Sequence, residues 1–156
     1  PRKAAKKARR MEKRTILIVG DEDHILLHKR PAKGLLASMY ELINCEGELT
    51  EKEAVDVIRS LGLSPLRIQK TLPAKHIFSH IEWQMSGYRI MVEPLDYYNL
   101  NDKPDGDTDC NLDKKSDDYY WVTKEKTEKE YAIPSAFSAF TQYFDMKPGM
   151  GKKISG

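Results

Sequence analysis

Cysteine is nearly missing from this chain: Cys45 and Cys110 are the two it has in 156 residues. Two thiols cannot build a disulfide scaffold, a four-ligand zinc site or a cysteine-ligated iron–sulfur cluster, so a reduced intracellular setting is expected. Long apolar runs are missing as well, and nothing approaches the roughly 20 residues a membrane helix needs. The basic N-terminus lacks the apolar core of a signal peptide. The chain also has no P-loop, no GxGxxG, no HExxH and no GxSxG. Its first residue is Pro1 rather than a methionine, which points to an excised fragment. What remains is a soluble domain with one core, because this length is too short for two full domains.

A strong charge of one sign is absent too: 26 Lys and Arg face 24 Asp and Glu, a formal net of +2. That balance hides two opposed segments. Residues 1–14 carry eight basic groups against Glu12, a net of +7, and residues 96–118 carry eight Asp against three Lys, a net of −5. The first has almost nothing to bury and reads as a basic interdomain linker or frayed helix. Its Arg9, Arg10, Lys13 and Arg14 could equally run along phosphates, and both roles stay open. The second, with Pro104 and Gly106, reads as a long Asp-rich surface loop. Its Asp105, Asp107 and Asp109 alternate as a calcium loop begins. Cys110 and Ser116, however, stand where an EF-hand needs Gly and Glu, so an insertion is expected instead.

The body reads as mixed α/β. Thr15–Val19 and His24–His28 flank the polar turn Gly20–Asp23 and predict a hairpin. Thr50 with Glu53 forms a capping box ahead of a helix whose apolar side includes Ala54, Val55, Ile58 and Leu61, and Gly62 stops it. Ile81, Trp83 and Met85 alternate with polar residues as a half-buried strand. Gly87 is expected to turn into a second strand, Tyr88–Val92, and Tyr119–Val122 gives another. Pro134 marks a helix start before Phe137, Phe140 and Phe144, a core-facing stripe. Residues 15–145 should form the domain, and 146–156 a flexible tail. His24 and His28 share one face of a strand and read as surface residues rather than metal ligands.

The segment Lys75–Trp83, KHIFSHIEW, departs from simple alternation. Continuing the strand parity of Ile81 and Trp83 backwards would put Ser79 inside and Phe78 outside, the reverse of ordinary burial. Two readings follow: a bulged strand, or a turn in which Phe78, Ser79 and His80 all present their side chains.

Around the capped helix, the order of elements resembles the Nudix hydrolase domain and its signature helix. Anchored on Gly62–Leu63, the resemblance puts Val55 at the motif arginine, Asp56 at its first helical glutamate, and Arg59 and Ser60 at the paired glutamates. Gly47 falls where the motif has its upstream glutamate, and Glu48 lies one place off. Since those glutamates bind the catalytic metal, the resemblance implies the scaffold without hydrolysis.

Three stretches together resemble the C-terminal domain of MutY-type adenine DNA glycosylases. Lys29–Glu41, KRPAKGLLASMYE, is similar to R-P-x-x-G-L-L-A-G-L-W-E, with Ser38 for Gly and Tyr40 for Trp. His76–His80 matches H-x-F-S-H, and Tyr131–Phe137 is similar to A-I-P-S-A-F. The resemblance implies a Nudix-like mixed sheet between helices that recognises 8-oxoguanine opposite adenine in double-stranded DNA. The adenine would be excised by a preceding glycosylase domain, which would also hold the catalytic carboxylates and the iron–sulfur cluster, leaving this segment with no cofactor and no catalytic residue. Ser79 would bond the oxidised base, Phe78 would pack beside it, and His80 and His76 would support the turn or face the backbone, with Lys75 near phosphate. Partners would be the glycosylase domain and a repair protein on the Asp-rich loop, in the bacterial cytoplasm at the nucleoid. The alternatives are a degenerate Nudix domain that binds nucleotide or RNA, and a protein-docking module.

Overall fold

The computed structural model describes residues 9–95 and 119–155, so the Asp-rich stretch 96–118 lies outside the described residues. Strand β1 (Arg10–Gly20) is the centre of the fold, and its last six residues are all buried. It runs parallel to β7 (Ile81–Val92) from Arg10↔Ile81 to Gly20↔Met91. Its other edge is shared by β4 (Ile43–Glu46), antiparallel across Arg14–Leu17, and by β2 (His24–Lys29) at Gly20↔Ile25. A strand paired on both edges and covered on both faces can be apolar throughout, which is why Ile16–Val19 does not alternate.

The expected hairpin therefore opens after one pair. A Cβ on Gly20 would lie 2.1 Å from the His24 carbonyl oxygen, so the turn is tight, but β2 then diverges. It pairs with β3 (Tyr40–Glu41) and along its length with β8 (Tyr119–Thr123), while β4 takes the place beside β1. The expected basic linker is corrected as well. Residues from Arg10 onward belong to β1 because Ile81–Met85 offers them a partner strand.

β7 is a single strand, not two strands joined at Gly87. A Cβ at Gly87 would meet Thr71 Oγ1 at 2.7 Å, the Ile16 carbonyl at 2.8 Å and Phe140 at 2.9 Å. The glycine thus serves close packing rather than a turn. The outer edge of β7 is divided between β6 (Ala74–Ile77) and β5 (Pro65–Lys70). The tail is also structured: Met146 is buried, and β9 (Lys152–Lys153) pairs with β5. Arg67 holds that segment by donating to the Gly151 carbonyl at 2.8 Å.

Helix α1 (Glu51–Ser60) has the expected capping box: Thr50 Oγ1 accepts from the Glu53 N–H, and Glu53 accepts from the Thr50 N–H. Gly62 follows with φ 81°, the left-handed stop. After Pro134 comes a 3-10 turn (Ser135–Phe137) leading into the short helix α2 (Ser138–Thr141). Two cores result. One packs α1 residues Ala54, Val55 and Ile58 against Leu17, Val19 and Ile90, and the other packs Phe137 and Phe140 against Ile16, Ile18 and Trp83. Each such side chain contributes about 1.5–3 kcal/mol of burial. The architecture is a mixed α+β sheet between helices.

Candidate nucleic-acid interface

Strands β6 and β7 form a hairpin whose last pair is Ile77↔Glu82. Beyond it, the Phe78 N–H donates to the Ile81 carbonyl at 2.7 Å, closing the turn Phe78-Ser79-His80-Ile81. The bulged-strand alternative is thereby set aside. Ser79 and His80 are exposed at the tip, but Phe78 is half-buried, so the turn presents two side chains rather than three. The Phe78 ring stands edge-on to Trp83 at 4.9 Å and to His76 at 4.7 Å. Folding back onto Trp83 removes Phe78 from water and resolves the parity conflict seen in the sequence.

Trp83 is 1% exposed and is the residue on which the turn rests. Its indole N–H donates to Glu12 at 3.2 Å, and Phe137 lies 5.9 Å from its ring. The guanidinium groups of Arg14 and Arg30 each sit 5.4 Å from the same ring. Arg30 donates to Glu41 at 2.9 Å and to the Leu35 carbonyl at 2.9 Å, while Arg14 donates to Asn44 at 2.8 Å. Glu41, 4% exposed, also accepts from Asn44 and faces the His28 ring nitrogen at 3.0 Å. Residues from all three motif stretches thus meet at Trp83: Arg30 from the first, Phe78 from the second and Phe137 from the third. No motif contains Trp83. Its signal was its place two residues after Ile81 on the apolar face.

The loop between β2 and β3 contains Leu36 (φ 52°) and Ser38 (φ 60°), both left-handed. Ser38 stands where the resembled motif has glycine, the residue that adopts this conformation without strain. Arg30 is anchored to the Leu35 carbonyl in the same loop, so the loop's path fixes the guanidinium over Trp83.

The basic residues separate. The Arg10 N–H donates to the His80 carbonyl at 2.9 Å, so β1 starts beside the turn. Arg10 also pairs with Glu12 at 2.8 Å, and Arg9 pairs with Glu82 at 3.3 Å. Lys13 and Lys75 are exposed. Arg14, one of the possible phosphate contacts, has a side chain only 15% exposed and packs on Trp83. His24 and His28 are also not plain surface residues, since each faces a carboxylate, Asp21 at 3.1 Å and Glu41 at 3.0 Å. The hydrogen bond from Gln84, followed by Arg9 and nearby Lys75, outweighs desolvation and holds Glu82 below the ordinary carboxylate range. Burial pushes the Cys45 thiol up to about 11 against the pull of Arg14, which leaves it a poor nucleophile.

Helix α1 exposes Asp56, Arg59 and Ser60 and buries Val55. Arg59 reaches the Ser155 carbonyl at 3.5 Å, and Glu48 pairs with Lys13 at 3.6 Å. Among the described residues, no group of three or more His, Cys, Asp and Glu is placed to hold a metal ion. No helix among them is long and apolar enough to cross a membrane.

Comparison with known proteins agrees with this architecture. A family model described as the NUDIX domain matches residues 14–143. Among solved structures, the C-terminal domain of mouse MUTYH, determined in complex with human PCNA, superposes with a TM-score of 0.57 at 20% identity, covering 92% of this chain and 94% of that one. A NUDIX hydrolase from Nitrosomonas europaea gives 0.56 at 14% identity, covering 86% and 88%. The MutT protein from Methanosarcina mazei Go1 gives 0.55 at 16% identity, covering 90% and 96%. At these identities the likeness is one of fold.

Proposed function

Because the chain belongs to the NUDIX domain family, we propose that it uses that scaffold for recognition rather than hydrolysis, as the lesion-reading domain of a MutY-type adenine DNA glycosylase. The observation that carries the reading is the meeting of the three motif stretches at Trp83, which seats the turn that exposes Ser79 and His80. The Ser79 hydroxyl can accept the N7–H that 8-oxoguanine has and guanine lacks. Its position on a hairpin tip, supported from below by Phe78, suits a probe entering beside a base pair.

The divalent cation of Nudix hydrolases does not fit the residues present. Arg59 and Ser60 occupy the positions of paired carboxylates, and an arginine there repels the ion. No hydrolytic step is therefore assigned to this domain. Excision of the mispaired adenine belongs to a preceding domain with its own iron–sulfur cluster. The setting is the cytoplasm at the nucleoid, with the Asp-rich stretch available to a repair partner.

The test is fluorescence anisotropy of the 156-residue chain at fixed salt on duplexes containing 8-oxoguanine opposite adenine, or guanine opposite adenine. The wild-type chain should prefer the lesion, and Ser79→Ala should lower that preference about tenfold, the size of one lost base contact. An unchanged ratio would remove the turn from lesion recognition. Release of adenine, or cleavage of a nucleoside diphosphate derivative, by the purified chain would overturn the non-catalytic reading.

A further inference from the structure

The face of β7 opposite Trp83 carries a different feature. Where the outer partner of β7 changes from β6 to β5, the ladder is interrupted. The β6 register ends at Ala74↔Met85, that of β5 begins at Lys70↔Tyr88, and the Thr71 N–H bonds the Gly87 carbonyl between them. A crevice of about 540 Å³ opens at this point, within the size range of small-molecule sites. Lys13, Glu48, Lys75, Glu82, Gln84 and Ser86 line it.

The strand registers order these side chains. Lys13 on β1 stands opposite Gln84 on β7, and Gln84 stands opposite Lys75 on β6, so one row across three strands reads Lys–Gln–Lys. Strands lie about 4.8 Å apart, so the two lysine stems start about 10 Å from each other, and their ammonium groups can converge on one anion. In the next row inward, Thr15 stands opposite Ser86. Thr15 is satisfied, since its hydroxyl donates to the Gly47 carbonyl and accepts from the Leu49 N–H. Ser86 is not: its hydroxyl oxygen is shut off from solvent and has no hydrogen-bond partner. A buried hydroxyl without a partner is costly and calls for an explanation.

The charges in the crevice are unevenly engaged. Arg9 and Gln84 hold Glu82. Glu48 and Lys13 pair at 3.6 Å with both side chains more than half exposed, a pair that contributes little and yields readily to a better partner. Lys75 has no ion pair within 4 Å among the described residues. The Gln84 amide nitrogen is occupied by Glu82 and the Met11 sulfur, which leaves its oxygen to accept.

We propose that this crevice binds a small phosphate monoester, with its phosphate between Lys13 and Lys75 and a hydroxyl- or amide-bearing body at Gln84. Two ammonium point charges match a dianionic phosphate, and the Gln84 amide oxygen is placed to accept from the body. The source is either a free metabolite or the terminal phosphate of a nucleic acid strand. No lesion enters the test, so this assignment stands or falls separately from that of the turn.

The experiment is a two-dimensional amide NMR titration of the whole chain with ribose 5-phosphate, AMP and inorganic phosphate, and with the same duplex carrying a 5′-phosphate or a 5′-hydroxyl. Saturable shifts at Lys13, Lys75 and Gln84–Ser86 are expected with a phosphate-bearing probe. A response to the free esters identifies a metabolite site. A response confined to the 5′-phosphorylated duplex identifies the strand end. Lys75→Gln should weaken binding about tenfold, and Gln84→Ala should weaken the esters but not inorganic phosphate. The assignment fails if none of the probes saturates by about 10 mM, or if both variants bind them as the wild type does.

Discussion

On one face of β7, Trp83 is held by an indole hydrogen bond, two guanidinium groups and two aromatic rings, while on the other, a crevice opens and the Ser86 hydroxyl beneath it is buried without a partner. The same strand therefore has a filled side and an open side. The filled side includes Gly87, where even a methyl group would collide with Phe140 and the β1 backbone. Support for the exposed turn comes from the filled face, whereas the open face keeps an energetic fault that packing alone would have removed.

Stability measurements on paired variants should expose this asymmetry most strongly. Trp83→Ala is expected to cost about 3–5 kcal/mol in urea unfolding, the range for a deleted core aromatic. Ser86→Ala should be neutral or slightly stabilising, because it removes an unpaired buried oxygen. Similar losses at both positions would erase the distinction between the faces. Gly87→Ala comes next. Overpacking against Ile16, Thr71 and Phe140 should cost about 1–3 kcal/mol, and a neutral result would mean that the filled face has slack.

The smallest effects concern the helix beneath the open face. Thr50→Ala should cost about 1 kcal/mol through the lost cap. The Thr50 backbone N–H, and then its hydroxyl, hold the Glu53 carboxyl below the ordinary glutamate value of 4.5. A carboxylate with a depressed folded value stabilises above its unfolded value and loses that contribution as pH falls through the folded one. The stability difference between wild type and Glu53→Gln should accordingly shrink toward zero as pH drops below 4.5, and a difference independent of pH would contradict the capping role.

What the sequence made legible was local. The capping box, the Gly62 stop and the conflict between Phe78 and Ser79 are each written within a few residues, and the structure follows all three. The continuity of β7 through Gly87 was hidden because the reason for that glycine lies in Ile16, Thr71 and Phe140, far away along the chain. The parallel partner of β1 was hidden for the same reason, and with it the role of Arg10–Arg14 as strand rather than linker. Composition put Arg14 among the possible phosphate contacts, and its place over Trp83 could not be read there. The turn was readable in advance. Its foundation was not.

The long register between β1 and β7 also bears on the order of assembly. Its partners lie about seventy residues apart in sequence, so the ladder forms only after a large loop has closed. The hairpin of β6 and β7 can appear early by itself, but the Arg10 bond to His80 and the Arg14 contact with Trp83 arrive only with β1. The tip would then acquire its fixed orientation only at the end of folding, once the central ladder has closed.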